Sequence, residues 1–158
     1  MRTLWCLLVL PALCAGQIEK NLETLYAVRS FQQASISPDG KKLAWVETTR
    51  AKDHSESRNT MAYVADLELP SASPHRLTAE DGKKACEESG LAWSPDSERI
   101  AFLSTCNPPG QRQLYVATAT GGEVRKLTSL TGFLADPQWS PNGNQIALLF
   151  TENAVRAA

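Results

Sequence analysis

Ala34-Ser-Ile-Ser-Pro-Asp-Gly-Lys-Lys-Leu-Ala-Trp-Val-Glu-Thr48 decides the fold, because the chain returns to it twice without gaps. The second copy is Leu91-Ala-Trp-Ser-Pro-Asp-Ser-Glu-Arg-Ile-Ala-Phe-Leu-Ser-Thr105. The third is Pro137-Gln-Trp-Ser-Pro-Asn-Gly-Asn-Gln-Ile-Ala-Leu-Leu-Phe-Thr151. Their Ser-Pro pairs start at 37, 94 and 140, so the period is 57 and then 46 residues. Self-similarity at that spacing belongs to propellers and arrays.

Each copy has a physical reading. Ser-Pro-Asp-Gly is a turn, in which Pro fixes φ and Gly or Asn tolerates positive φ. It joins a short strand ending at Ile36, Trp93 or Trp139 to a second one such as Leu43-Ala44-Trp45-Val46. The second strand is apolar on successive residues, which predicts cover on both faces. A third strand follows at Met61–Leu67 and Gln113–Thr118. Gly121-Gly122 suits a primed hairpin turn into a polar outer strand, Val124–Thr128, matched by His75–Thr78. Charge on such an edge discourages pairing with another sheet. The expected fold is therefore all-β, a partial β-propeller of about two and a half four-stranded blades, at residues 34–78, 91–128 and 137–158. Closed propellers carry about four to eight blades, so the propeller at 34–158 is expected to be incomplete and residues 1–158 are not expected to fold alone. The polar stretch Thr49–Thr60 reads as a loop inserted in the first unit.

The segment ahead of the repeats reads differently. Arg2 precedes the apolar run Leu4–Leu13, small residues follow at Cys14, Ala15 and Gly16, and the polar run begins at Gln17. That order is expected of a secretory signal peptide over residues 1–16, cleaved near Gly16/Gln17. A lipoprotein signal using Cys14 is the alternative. The apolar run is too short for a bilayer span, which takes about 20 residues, so no membrane span is expected after cleavage. Residues 17–33 form a lead-in, with Leu22–Val28 spaced like a short amphipathic helix. The protein is thus expected to be exported, periplasmic or secreted. With a net charge of −1 and scattered lysines and arginines, no nucleic-acid partner is expected.

Export leaves Cys86 and Cys106 in an oxidising compartment. A hairpin folding about Pro95–Ser97 pairs residues whose numbers add to about 192, and Cys86 and Cys106 add to that number. A ladder running on past Leu91 would set them face to face as a disulfide. If Gly90 and Glu87-Glu88 loop away, two free thiols result.

Catalytic signals are absent. The sequence contains no Gly-x-Ser-x-Gly elbow, no His-Glu-x-x-His pair and no phosphate-binding Gly-rich loop. His54 and His75 read as solvated residues with no third group to orient them. Asp81, Glu87, Glu88 and Glu152 read as a solvated loop face. Asp39 and Asp96 recur with the turn and read as hydrogen-bond acceptors for its backbone. Trp45, Trp93 and Trp139 read as core packing. No catalytic, cofactor-binding or metal-ligating residue is assigned, and no cofactor is expected.

At the Ser-Pro-Asp-Gly hairpins the chain resembles the repeats of TolB-like propellers and of the prolyl oligopeptidase family of serine peptidases. A helix-like Leu22-Glu-Thr-Leu-Tyr-Ala-Val running into the first repeat is similar to the start of dipeptidyl-peptidase and acylaminoacyl-peptidase relatives. The resemblance covers about residues 20–156. It implies that the propeller gates peptide access to an α/β-hydrolase domain holding the Ser, Asp and His, and that further C-terminal blades complete the ring. None of those catalytic residues maps onto this sequence, so the chain alone is expected to be inactive. The other reading is a non-enzymatic TolB-like module that binds proteins in the periplasm.

Overall fold

The computed structural model describes residues 30–50, 58–69, 71, 73–79 and 86–154, with the side chains of 49, 50, 58 and 59 left aside. The signal segment, the helical part of the lead-in, His54 and Asp81 lie outside these residues. Among the described residues, ten strands form three antiparallel sheets. The first holds β1 (Ser30–Ile36), β2 (Lys42–Arg50), β3 (Arg58–Asp66) and β4 (His75–Leu77) in chain order. The second repeats that order with β5 (Glu88–Trp93), β6 (Arg99–Ser104), β7 (Gln113–Thr118) and β8 (Val124–Lys126). The third pairs β9 (Gly132–Trp139) with β10 (Ile146–Glu152). Two four-stranded blades and a two-stranded sheet are the all-β partial propeller.

The strands begin earlier than the Ser-Pro alignment placed them. Residues 30–33 of the lead-in belong to β1, while β5 and β9 start at Glu88 and Gly132. The inserted loop is also shorter, because Thr49 pairs with Asn59 and Arg50 with Arg58, continuing the β2–β3 ladder.

One turn chemistry repeats at all three Ser-Pro hairpins. The Ser37 amide donates to Lys42 O (2.9 Å), the Gly40 amide to Ser37 O (2.9 Å), and the Lys42 amide to Ser37 Oγ (2.9 Å). Ser94 and Ser140 make the same three bonds to their own hairpins. The fourth residue is left-handed each time: Gly40 at φ 76°, Ser97 at 62° and Gly143 at 69°. The loop at Gly121-Gly122 departs from the primed turn expected there. Only Gly121 has positive φ (76°), whereas a type I′ turn needs it at both central residues. Its Thr118 amide donates to Glu123 O and its Gly121 amide to Thr118 O, which is the Ser-Pro-Asp-Gly geometry again.

Alternation across β6 and β7 explains the continuous apolar runs. Ile100, Phe102, Tyr115 and Ala117 face the first sheet, where they pack with Ala44, Val46, Ala62, Val64 and Leu77. Ala101, Leu103, Leu114 and Val116 face the third sheet, where Leu134 is buried and Trp139, Ile146 and Leu148 pack against them. The middle blade therefore has two dry faces, and both β6 and β7 are almost wholly buried.

Polar side chains bind neighbouring sheets through their inner strands. Trp93 Nε1 donates to Ser35 O (3.1 Å), and Trp139 Nε1 donates to Ala92 O (3.0 Å), the equivalent carbonyl one blade on. The Gln33 amide spans both backbone groups of Leu91, donating to its oxygen (2.8 Å) and accepting from its N–H (2.9 Å). Asp39 N–H donates to Ser97 Oγ (3.0 Å). Arg99 lies 4.8 Å from the ring centre of Trp139 and donates to Gly143 O (3.2 Å). Trp139→Phe keeps the apolar ring but leaves Ala92 O without its donor, and is expected to cost about 1–2 kcal/mol. Urea unfolding of the intact gene product reads this as a lowered midpoint at unchanged slope.

Candidate functional site

The blade end at which β5 and β9 begin carries a disulfide, a cleft and a buried acid. The β5–β6 ladder pairs Glu88 with Ser104 and Ser89 with Leu103, numbers adding to 192. It then slips by one residue at Gly90, whose φ is 63°, so that Ala92 meets Ala101 and Trp93 meets Ile100. Beyond Glu88 the ladder continues. Thr105 N–H donates to Glu87 O (3.1 Å), and Glu87 N–H donates to Thr105 Oγ1 (2.9 Å). The next facing pair is Cys86 and Cys106, joined by a disulfide with Cα atoms 5.0 Å apart. Both cysteines are buried. The bond ties the start of the second blade to the loop between β6 and β7.

That loop borders a cleft of about 120 Å³ lined by Glu87, Thr105, Gln111, Arg112, Gly132 and Phe133, among others. Arg112 Nη2 lies 4.0 Å from Glu87 Oε2. The Gln111 amide grips Gly132, donating to its oxygen at 2.7 Å and accepting from its N–H at 3.2 Å. Ligand pockets run to roughly 300–1,000 Å³, so this cleft is too small for a drug-sized molecule. The Gln111 clamp on Gly132 ties the β6–β7 loop to the third sheet.

Glu88 corrects the expectation of a solvated acidic face. It is fully buried, and its Oε2 accepts from the Ala62 amide at 3.0 Å across the blade boundary. Arg76 Nη2 stands 3.8 Å from its Oε1. Burial pushes this carboxyl above its ordinary value of 4.5, and the Ala62 amide, the Thr78 hydroxyl and Arg76 only partly oppose it. Glu87 and Glu152 are exposed.

The turn acids behave in the opposite way. Ser37 Oγ donates to Asp39 Oδ1 (2.6 Å), and the Lys41 amide donates to the same oxygen (3.1 Å). These bonds hold the Asp39 carboxyl below its ordinary value. Ser94 and the Glu98 amide do the same for Asp96. Asn142 fills that place in the third hairpin without a charge, accepting from Ser140 Oγ (2.7 Å) and Asn144 N–H (3.1 Å). A neutral amide in the same role identifies these residues as turn acceptors.

His75 is exposed and packs beside Gly121, where an added Cβ would lie 2.6 Å from its own. Trp45 stacks on Tyr63 at 5.6 Å, while Trp93 and Trp139 act as interblade donors. Among the described residues no cluster of three His, Cys, Asp or Glu is placed to hold a metal ion. The sequence reading missed the glutamine clamps at Gln33, Gln111 and Gln113. Only Gln113 carried a signal, a polar residue opening an otherwise apolar strand.

The chain is homologous to the propeller regions of several known proteins. It is 27% identical over 124 residues to the uncharacterized peptidase YuxL of Bacillus subtilis, covering 78% of this chain and 18% of that protein. It is 31% identical over 93 residues to dipeptidyl-peptidase 5 of Porphyromonas gingivalis, covering 59% of this chain and 12% of that one. Over 61 residues it is 33% identical to the Tol-Pal system protein TolB of Alcanivorax borkumensis, covering 39% and 14%. The chain thus spans less than a fifth of the length of these relatives. Among solved structures, an acylaminoacyl peptidase superposes with a TM-score of 0.60 at 18% identity, covering 78% of this chain and 18% of that one. The β-propeller domain of the trilobed protease of Pyrococcus furiosus gives 0.58 at 12% identity, covering 76% and 33%. At those identities the likeness is one of fold. No family model matches the chain.

Proposed function

We propose that these blades are the N-terminal propeller portion of an exported serine peptidase of the prolyl oligopeptidase type. Their role is to gate the access of peptides to a hydrolase domain carried elsewhere in the protein. The observation that carries this reading is the similarity to a peptidase along 78% of the chain. The chemistry of the blades is compatible with it. The described residues form packed blades whose polar groups serve turns and seams, which suits a filter rather than a reaction centre. The signal-like residues 1–16 and a buried disulfide support export into an oxidising compartment.

The test uses the intact product of the gene in its own host. It is expected to react with a serine-directed fluorophosphonate, to cleave short peptides and to leave folded proteins intact. Its mature N-terminus is expected near Gln17. Absence of both labelling and peptide cleavage would overturn the peptidase reading. The similarity to TolB supports the second reading, a binding module of the periplasm. That reading predicts no labelling and stable co-purification with a periplasmic protein.

A further inference from the structure

The two blade seams solve one polar problem in different ways. In the second blade, the Leu114 amide at the start of β7 donates to Thr128 Oγ1 (2.9 Å). Thr128 in turn donates to Gln113 Oε1 (2.8 Å), which also accepts from Leu130 N–H (3.0 Å). The buried acceptor of this blade is therefore its own Gln113, uncharged and bonded on both sides. Leu134, six residues before Ser140, fills the space from the third sheet and is fully buried.

In the first blade the same two positions are exchanged in character. Met61 stands where Gln113 stands, immediately before the Ala-Tyr-Val or Leu-Tyr-Val run. Glu88, six residues before Ser94, stands where Leu134 stands. The amide of Ala62, counterpart of Leu114, is taken by Glu88 Oε2 from the next blade, and Thr78, counterpart of Thr128, bonds the same carboxylate. An acid reaching across from one blade has replaced an amide within the other.

This exchange leaves a deficit. Among the described residues the buried side-chain polar atoms without a hydrogen-bond partner are Thr60 Oγ1, Arg76 Nε, Glu88 Oε1 and Ser89 Oγ. All four lie on β3, β4 or β5, the strands of the first seam, and none lies on β6 to β10. A buried carboxylate with one oxygen unbonded and its cation 3.8 Å away keeps much of its desolvation cost.

We propose that Glu88 makes the seam between the first two blades a proton-responsive joint, tightest when its carboxyl is protonated and loosened when it ionises, while the seam between the second and third sheets does not respond. The groups that act on Glu88 are the Ala62 amide on β3, and Arg76 and Thr78 on and after β4. Arg76 is the charged one, and it favours ionisation less than burial opposes it. The sign follows from linkage. A carboxyl raised in the closed seam contributes stability that is fully present below its ordinary 4.5 and is lost as pH rises through the raised value.

Amide hydrogen exchange on the intact gene product, corrected for intrinsic rates, reads both seams at once. From below pH 4.5 to mildly alkaline pH, protection at Ala62 is expected to fall relative to Leu114. The fall is about tenfold for each unit by which the closed seam raises the carboxyl. Glu88→Gln is expected to flatten the ratio. The transplant Met61→Gln with Glu88→Leu copies the second seam and is expected to flatten it with Ala62 fully protected. A constant ratio in the wild-type protein, or the same slope in Glu88→Gln, would overturn the proposal. Should either variant fail to fold, carbon-13 titration of Glu88 in the wild-type chain decides. A midpoint above 4.5 supports the joint, and one at or below it refutes it.

Discussion

Phe102→Ala is expected to destabilise the protein by about 4 kcal/mol, the largest single-residue loss in the described residues. Phe102 is fully buried on β6 and faces the first sheet. Its ring stacks on Tyr115 at 5.7 Å with 24° between planes. Removing it opens a cavity bounded by strands of two blades, and the β-ladders on either side restrain collapse into the space. The loss therefore includes the transfer term and most of the cavity term. Thr120→Ala, at an exposed turn, serves as the control and is expected to stay within about 0.5 kcal/mol. Urea unfolding measures both. A loss for Phe102→Ala no larger than the control would mean that the two blades do not pack through β6.

Replacing both Cys86 and Cys106 by serine comes next, at about 3 kcal/mol. The bond closes a loop of 20 residues in sequence, so in the chain-entropy account its loss returns that much freedom to the unfolded state. The first effect is expected where β5 begins, because the disulfide continues the β5–β6 ladder past the Glu87–Thr105 bonds. Thermal unfolding with and without reductant gives the magnitude, and non-reducing peptide mapping gives the connectivity. Equal melting temperatures for the wild-type and double-serine proteins would show that the bond contributes nothing to stability.

Features set by a few consecutive residues were the legible ones. Ser-Pro-Asp-Gly announces its turn because the serine hydroxyl, the aspartate and the left-handed glycine all act within six residues of chain. Runs such as Ile100–Leu103 announce cover on both faces, since a strand with one wet face alternates. The facing of Cys86 and Cys106 could be counted from the hairpin, although the slip at Gly90 moves the register by one on its far side.

Features made by residues distant in the chain were not legible. Ser30-Phe-Gln-Gln33 has no strand-like alternation, and its amide clamp engages Leu91, 58 residues away. The pairing of Thr49 and Arg50 with Asn59 and Arg58 hides in a polar stretch because backbone at the end of a hairpin needs no apolar side chain to pair. Glu88 sits in an acidic Glu-Glu pair and looks solvated. Its burial depends on Ala62, 26 residues earlier, and on Arg76 of the preceding blade. Gly121-Gly122 looked like a primed turn because composition shows where glycine is tolerated, not which glycine adopts positive φ.

The genomic reading frame downstream of codon 158 tests most directly the proposal that these blades are the peptide-gating part of a peptidase. An open frame is expected, running through further Ser-Pro-Asp-Gly hairpins into a Gly-x-Ser-x-Gly elbow, followed by Asp and His in hydrolase order. A frame that completes a propeller and stops without such an elbow would contradict it.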